Sequence, residues 1–117
     1  MLSFSGSLKV FVAVEPCDMR RSFNGLHDAV TTRLQEDPRS GSIFAFTNKR
    51  RTLLKILYWD GSGLWVLAKR LERGTFAWPK GTDIKDGKLR LTTTALALLL
   101  DGIDMRHGCE RPWYQLS

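Results

Sequence analysis

The tetrapeptide Asp60-Gly61-Ser62-Gly63 constrains this 117-residue chain more than any other stretch. It separates two apolar runs, Leu53 to Trp59 and Leu64 to Leu71. Gly61 and Gly63 tolerate positive φ because they lack a Cβ, and Asp is favoured at the first position of a type I turn. Two apolar runs around a short glycine-containing loop predict a β-hairpin. A three-residue loop with Gly63 in the left-handed region sets Trp59 opposite Trp65 and Lys55 opposite Lys69. A two-residue loop shifts the register by one and pairs Tyr58 with Trp65. The first register is preferred, and it places Lys55 and Lys69 side by side on one face.

The rest of the chain reads as support for this hairpin. Leu8 to Val14 is β-branched and aromatic, a first strand ended by Pro16. Asp18 or Ser22 is available as a helix N-cap, and Phe23, Leu26, Val30 and Leu34 then fall on one helical face. Gly25 weakens that helix locally, and Asp37-Pro38 stops it. Ser42 to Thr47 is a buried strand, and Asn48 to Arg51 turns back into Leu53 to Trp59. After the hairpin, Arg73-Gly74 breaks the strand, and Thr75 to Trp78 adds a short one before Pro79. Lys80 to Gly87 is polar with two glycines, the expected mobile loop. Lys88 to Leu91 alternates as an edge strand. Thr92 or Thr93 caps a short helix over Thr94 to Leu100, ended by Asp101-Gly102. Met105 to Ser117 is an irregular tail. The expected fold is α+β: a mainly antiparallel sheet, a meander with a central hairpin, covered on one face by the long helix, plus a short C-terminal helix. The length predicts a single domain over residues 1–117, with 1–7 and 107–117 loosely ordered.

Charge singles out the same region. The chain carries a formal net charge of +6. Lys49 to Arg90 holds eleven Lys and Arg against four Asp and Glu, a net +7, and the remainder is at −1. Such a confined excess points to an acidic partner: nucleic acid, an anionic membrane surface or an acidic protein. Nucleic acid is preferred over a merely solvated face because the charge is not scattered. Lys49, Arg50, Arg51, Lys55, Lys69, Arg70 and Arg73 are expected to form one continuous positive surface that contacts phosphates. Trp59, Trp65 and Trp78 lie in the same stretch, either as stacking faces or as core, and the burial tendency of aromatic rings favours core. Arg20 and Arg21 form a secondary basic site. Arginine near a helix N-terminus opposes the helix dipole by ~0.3–1 kcal/mol. That placement calls for a phosphate or for an ion pair with Asp18 or Glu15, and the ion pair is the simpler explanation.

Other functions find little support. Asp18, Asp60, Asp83, Asp86, Asp101 and Asp104 each fall at an expected turn or cap, where Asp is ordinary. His27 and His107 are isolated. No catalytic residue, metal ligand or cofactor site is assigned, and the chain is not expected to be an enzyme. Cys17 and Cys109 are too far apart for a CxxC metal knuckle and too few for a disulfide framework, which fits a reduced, cytoplasmic chain. No apolar run approaches the ~20 residues of a membrane span. Val10 to Val14 is too short an apolar run for a signal peptide, so no membrane partner is expected. The last helix, rich in Leu96, Leu98, Leu99 and Leu100, looks like packing and not like a groove-reading helix.

Three ordered motifs carry a family resemblance. DGxGLxxxxKRLExGxFxWP is matched by Asp60, Gly61, Gly63, Leu64, Lys69, Arg70, Leu71, Glu72, Gly74, Phe76, Trp78 and Pro79. DMRxSFxGL matches Asp18 to Leu26, and DPxSGxxFxF matches Asp37 to Phe46. Over roughly Leu8 to Arg106 the chain resembles the TnpB accessory proteins of IS66-type bacterial insertion sequences, which are unrelated to the RNA-guided nuclease of the same name. The resemblance implies a role in DNA transposition beside a separate, larger transposase that carries the cutting chemistry. It gives a biological setting and not a mechanism. The expectation is a non-catalytic accessory protein that binds DNA through its basic hairpin. The alternative is a protein-interaction module that docks on the transposase without touching DNA.

Overall fold

Alternating apolar side chains and one crossover helix fix the architecture. The computed structural model describes residues 8–79 and 87–102. Its elements run β1 (Val10–Ala13), α1 (Phe23–Thr32), β2 (Ile43–Thr47), β3 (Leu53–Trp59), β4 (Leu64–Arg70), β5 (Lys88–Leu91) and α2 (Thr93–Leu100). The strands form one five-stranded sheet in the order β4-β3-β2-β1-β5. Short turns make β2, β3 and β4 an antiparallel meander. β1 reaches β2 through the α1 crossover and so pairs with it in parallel, while β5 returns antiparallel to β1. The class is α+β, as expected, with the short C-terminal helix in place.

The sheet is a middle layer. On one face Val10, Val12, Ile43, Ala45, Leu54 and Ile56 pack with Phe76, Trp78 and the α2 residues Ala95, Leu96 and Leu99. On the other face Ala13, Phe44, Phe46 and Leu57 pack with Cys17, Met19, the α1 residues Leu26, Ala29 and Val30, and Leu34 just beyond the helix. With cover on both sides, β2 is buried at every position. Sequence alone indicated only the α1 cover. The second cover comes from α2 and from the segment around Phe76, which is not the expected short strand. There Phe76 N–H donates to Arg51 O of the β2–β3 turn at 2.7 Å and Trp78 N–H to Phe76 O at 2.9 Å, single backbone bonds that do not extend into a ladder. The expected tails at 1–7 and 107–117, and the expected loop apart from Gly87, lie outside the described residues.

The helix ends show which local signals act. Neither expected side-chain cap of α1 forms. Ser22 occupies the N-cap position without a side-chain bond, and Asp18 is engaged by Arg20 instead. Gly25 has a packing reason: a Cβ there would lie 2.7 Å from Arg21 Cβ, because the arginine stem crosses the helix at that point. α1 ends before Asp37-Pro38, where Gln35 takes a φ of 55°. α2 begins as expected, with Thr92 Oγ1 accepting the Ala95 N–H at 2.9 Å.

Candidate nucleic-acid interface

The turn of the β3–β4 hairpin is built by one side chain. Asp60 Oδ1 accepts the Ser62 N–H at 2.8 Å, the Ser62 hydroxyl at 2.9 Å and the Gly63 N–H at 2.9 Å. Asp60 Oδ2 accepts the Trp65 indole N–H at 2.8 Å. The Trp65 indole, then the Ser62 N–H and hydroxyl, then the Gly63 N–H hold the Asp60 carboxyl well below its usual range. Asp60 N–H in turn donates to Gly63 O at 3.1 Å, so these two residues close a two-residue loop. Gly61, with φ at 100°, is the residue in the positive-φ region, not Gly63.

The preferred register is therefore corrected. Tyr58 pairs with Trp65, Lys55 with Ala68 and Leu54 with Lys69. Lys55 and Lys69 lie on opposite faces of the sheet, because a one-residue shift moves a side chain to the other face. The physical cause is the Asp60 carboxylate. It satisfies the Gly63 N–H directly and removes the need for a longer loop.

Three lysines of the basic segment tie the sheet to helix ends. Lys55 Nζ donates to Arg21 O just before α1 at 2.8 Å. Lys69 Nζ donates to Leu100 O, the last residue of α2, at 2.6 Å. Lys88 Nζ donates to Leu34 O beyond α1 at 2.7 Å and pairs with Glu36 Oε2 at 2.6 Å. A cation near terminal helix carbonyls is favourable, so Lys69 and Lys88 have a structural role.

The remaining cations gather at one end of the sheet. Asn48 organises the β2–β3 turn: its Oδ1 accepts the Thr52 N–H at 2.9 Å and the Leu53 N–H at 3.2 Å, and its Nδ2 donates to Thr52 Oγ1 at 3.1 Å. Lys49 and Arg50 are exposed at the tip, and Arg51 is half-buried with a φ of 59°. Leu71 N–H donates to Thr52 O at 3.0 Å and Phe76 N–H to Arg51 O. These two bonds bring the exposed Arg70 and Arg73 to the same end as the turn. Arg70 stands opposite Leu53, on the α1 side, whereas Lys69 faces α2. The cations thus wrap the end of the sheet and do not share a face. Cys17 N–H donates to Thr47 O at 2.8 Å, which places the Asp18–Arg21 segment at this end too.

Within that segment the expected ion pair forms. Arg20 Nη2 lies 2.9 Å from Asp18 Oδ2. The Arg20 guanidinium and backbone N–H lower the Asp18 carboxyl to about 2, and the same carboxylate raises Arg20. Arg21 is exposed. Among the described residues the ion pairs are Arg20–Asp18 and Lys88–Glu36, so none of Lys49, Arg50, Arg51, Lys55, Lys69, Arg70 and Arg73 has an acidic partner.

The tryptophans divide. Trp78 is core, 4% exposed, and its indole N–H donates to Ala13 O at 2.8 Å. Trp59 is half-buried beneath Arg39, whose guanidinium carbon is 5.2 Å from the ring centroid. Trp65 is 46% exposed and lies on the opposite face from Trp59. The three do not form one stacking platform. The sequence places Asn48 at the start of this turn, and its side chain, a common turn former, proves to organise it. Among the described residues no three His, Cys, Asp or Glu come together as metal ligands, and no helix is long and apolar enough to cross a membrane.

Comparison with known proteins places this geometry in a family. The profile of the IS66 Orf2 like proteins matches residues 8–110. "Uncharacterized protein y4jC" of Sinorhizobium fredii (strain NBRC 101917 / NGR234) is 39% identical over 112 residues, covering 96% of this chain and 93% of that protein. "Uncharacterized protein y4hO" of the same strain is 36% identical over 110 residues, covering 94% and 93%. No solved structure matches the chain. Matched along nearly its whole length, the chain belongs to the IS66 Orf2-like family of transposition-associated accessory proteins.

Proposed function

We propose that the protein is a non-catalytic accessory factor that works in the cytoplasm beside a transposase and holds DNA with the basic end of its sheet. The observation that carries this reading is the gathering of Lys49, Arg50 and Arg51 with Arg70 and Arg73, drawn together by the Leu71–Thr52 and Phe76–Arg51 backbone bonds. Packing like charges without acidic partners is unfavourable to folding, and an anionic ligand offsets it. Duplex phosphates suit such a group, since each neutralised phosphate also releases counterions. Lys55 and Lys69 already donate to carbonyls and add charge at the margin. Contacts to phosphate position a protein without reading sequence, so binding is expected to be largely sequence-neutral.

A mobility shift on random and element-end duplexes across a salt series tests this. Paired replacement of Arg50 and Arg51 by Ala should weaken binding about equally on all sequences. The slope of log K against log salt should fall by ~0.9 for each phosphate that is no longer neutralised. Absence of salt-dependent binding by the wild-type protein at low ionic strength would refute the reading. If the same variants lose the transposase instead, the basic end is a protein-docking surface.

A further inference from the structure

The basic end carries two features that phosphate contacts leave unused. The first is a cavity of about 330 Å³ between two turns, lined by Pro16, Cys17, Asp18 and Met19 from one and by Asn48 and Lys49 from the other. That volume is at the lower end of the ~300–1,000 Å³ range of ligand cavities. Pro16, Cys17 and Met19 give it an apolar wall. Asn48 Nδ2 gives one hydrogen to Thr52 Oγ1 and keeps a second for a ligand. The Asp18 carboxylate is met by Arg20 at 2.9 Å, so it does not turn a phosphate away. Lys49 stands exposed at the rim with Arg50 next to it.

The second feature is Phe23. By helical spacing Phe23, Leu26 and Val30 share one face of α1, yet Leu26 and Val30 are fully buried and Phe23 is 47% exposed. Among the described residues the other large exposed apolar side chain is Trp65, at the opposite, hairpin-turn end of the sheet. Lys55 Nζ donates to Arg21 O, which fixes the start of α1 near the basic end. Cys17 and Met19 belong to the α1-side core, so the cavity, Phe23 and Arg70 lie on one side of the sheet.

We infer that the basic end takes DNA with unpaired nucleotides, its cations holding phosphates while one base enters the cavity and another stacks on Phe23. The inference rests on the DNA reading above and narrows it to a kind of DNA. Bases inside a duplex show neither face, so a duplex engages the cations alone. An unpaired nucleotide is charged on its phosphate side and flat and apolar on its base, which matches cations without acidic partners set beside an apolar cavity and an exposed ring. Base edges also carry acceptors for the spare Asn48 hydrogen. Met19 suits a wall that meets a base, because a thioether packs well against an aromatic ring.

Competition binding of the full chain at one salt concentration tests it with two probes of equal charge, a short duplex and the same duplex opened by a central bubble of unpaired adenines. The bubble should bind about 10- to 100-fold tighter, the strength of one or two stacked bases. Phe23→Ala should remove most of that preference and leave duplex affinity unchanged, and Phe23→Tyr should retain it. Thermal melts check that both variants fold. The Met19 methyl resonance of the unsubstituted protein should shift further on adding the bubble than on adding the duplex. Equal affinity for the two probes, a preference that survives Phe23→Ala, or a Met19 methyl that responds alike to both would each overturn this inference and leave the DNA reading standing. Absence of binding to either probe at low ionic strength would sink both.

Discussion

Replacing Arg51 by glycine should raise stability while weakening DNA binding. Arg51 sits in the left-handed region at a φ of 59°. That conformation costs a residue with a Cβ ~1–2 kcal/mol. Glycine relieves the clash but gives back ~0.5–1 kcal/mol through the freedom it has in the unfolded chain. The net gain is therefore ~0.5–1 kcal/mol, a rise in Tm of roughly 2–6 °C for a chain of this size. The bonds that define the turn are unaffected because they are backbone bonds: Arg51 N–H to Asn48 O at 3.1 Å and Phe76 N–H to Arg51 O at 2.7 Å. Arg50 is the matched control, since it carries the same charge at a position without positive φ. Arg50→Gly should lower Tm slightly, and both variants should reduce the DNA salt slope by ~0.9. Thermal melts and salt-series binding of the two proteins suffice. A lower Tm for Arg51→Gly than for wild type, or stability shifts of the same sign in both, would refute the reasoning.

Trp78→Phe strips a buried donor from Ala13 O and leaves part of the indole volume empty. Urea denaturation should show a loss of ~2–4 kcal/mol with DNA affinity unchanged, and a loss under ~1 kcal/mol would mean the indole is not core. Asp18 and Asp60 both have carboxyls lowered from 3.8 in the folded protein. As pH falls, the unfolded chain takes up their protons first, so the stability these groups contribute is full above pH ~4 and drains below it. For Asp18 the loss is complete as pH passes about 2. Denaturation at pH 5 and pH 3 should show a smaller difference for the Asp18→Asn, Asp60→Asn double variant than for wild type, and equal differences would count against both contacts.

Local patterns in the sequence carried the elements and little of their arrangement. The Phe23, Leu26, Val30 and Leu34 spacing identified α1, and the apolar runs around Asp60-Gly61-Ser62-Gly63 identified β3 and β4. Thr92 was legible as a cap because its bond to the Ala95 N–H is local. The hairpin register was not legible. It turned on whether the Gly63 N–H would be met by the chain or by the Asp60 carboxylate, and two glycines permitted either loop. The place of β1 between β2 and β5 was also hidden, since pairing across most of the chain leaves no trace in periodicity. Among the basic residues, residue type could not separate lysines that hold helix ends, such as Lys69 and Lys88, from exposed cations such as Arg50 and Arg73. Trp78 and Trp65 looked alike in sequence. What divides them is a carbonyl on β1 in one case and a turn carboxylate in the other.

The position of β1 has a consequence for how the molecule is made. Among the described strands β1 is made first, yet one of its neighbours is β5, which is made last. Its edge stays open, and the sheet face that α2 will cover stays bare, until β5 and α2 have been made. The entropy of closing so long a loop grows only slowly with length, but it must be met before any β1–β5 bond can form. The β2–β3–β4 meander, joined by short turns, has no such delay. Nascent chains halted before Lys88 should therefore expose an apolar surface that chaperones bind and a strand edge prone to mispairing. In the finished protein, β5 and α2 should open together and exchange their amide protons faster than β2 and β3.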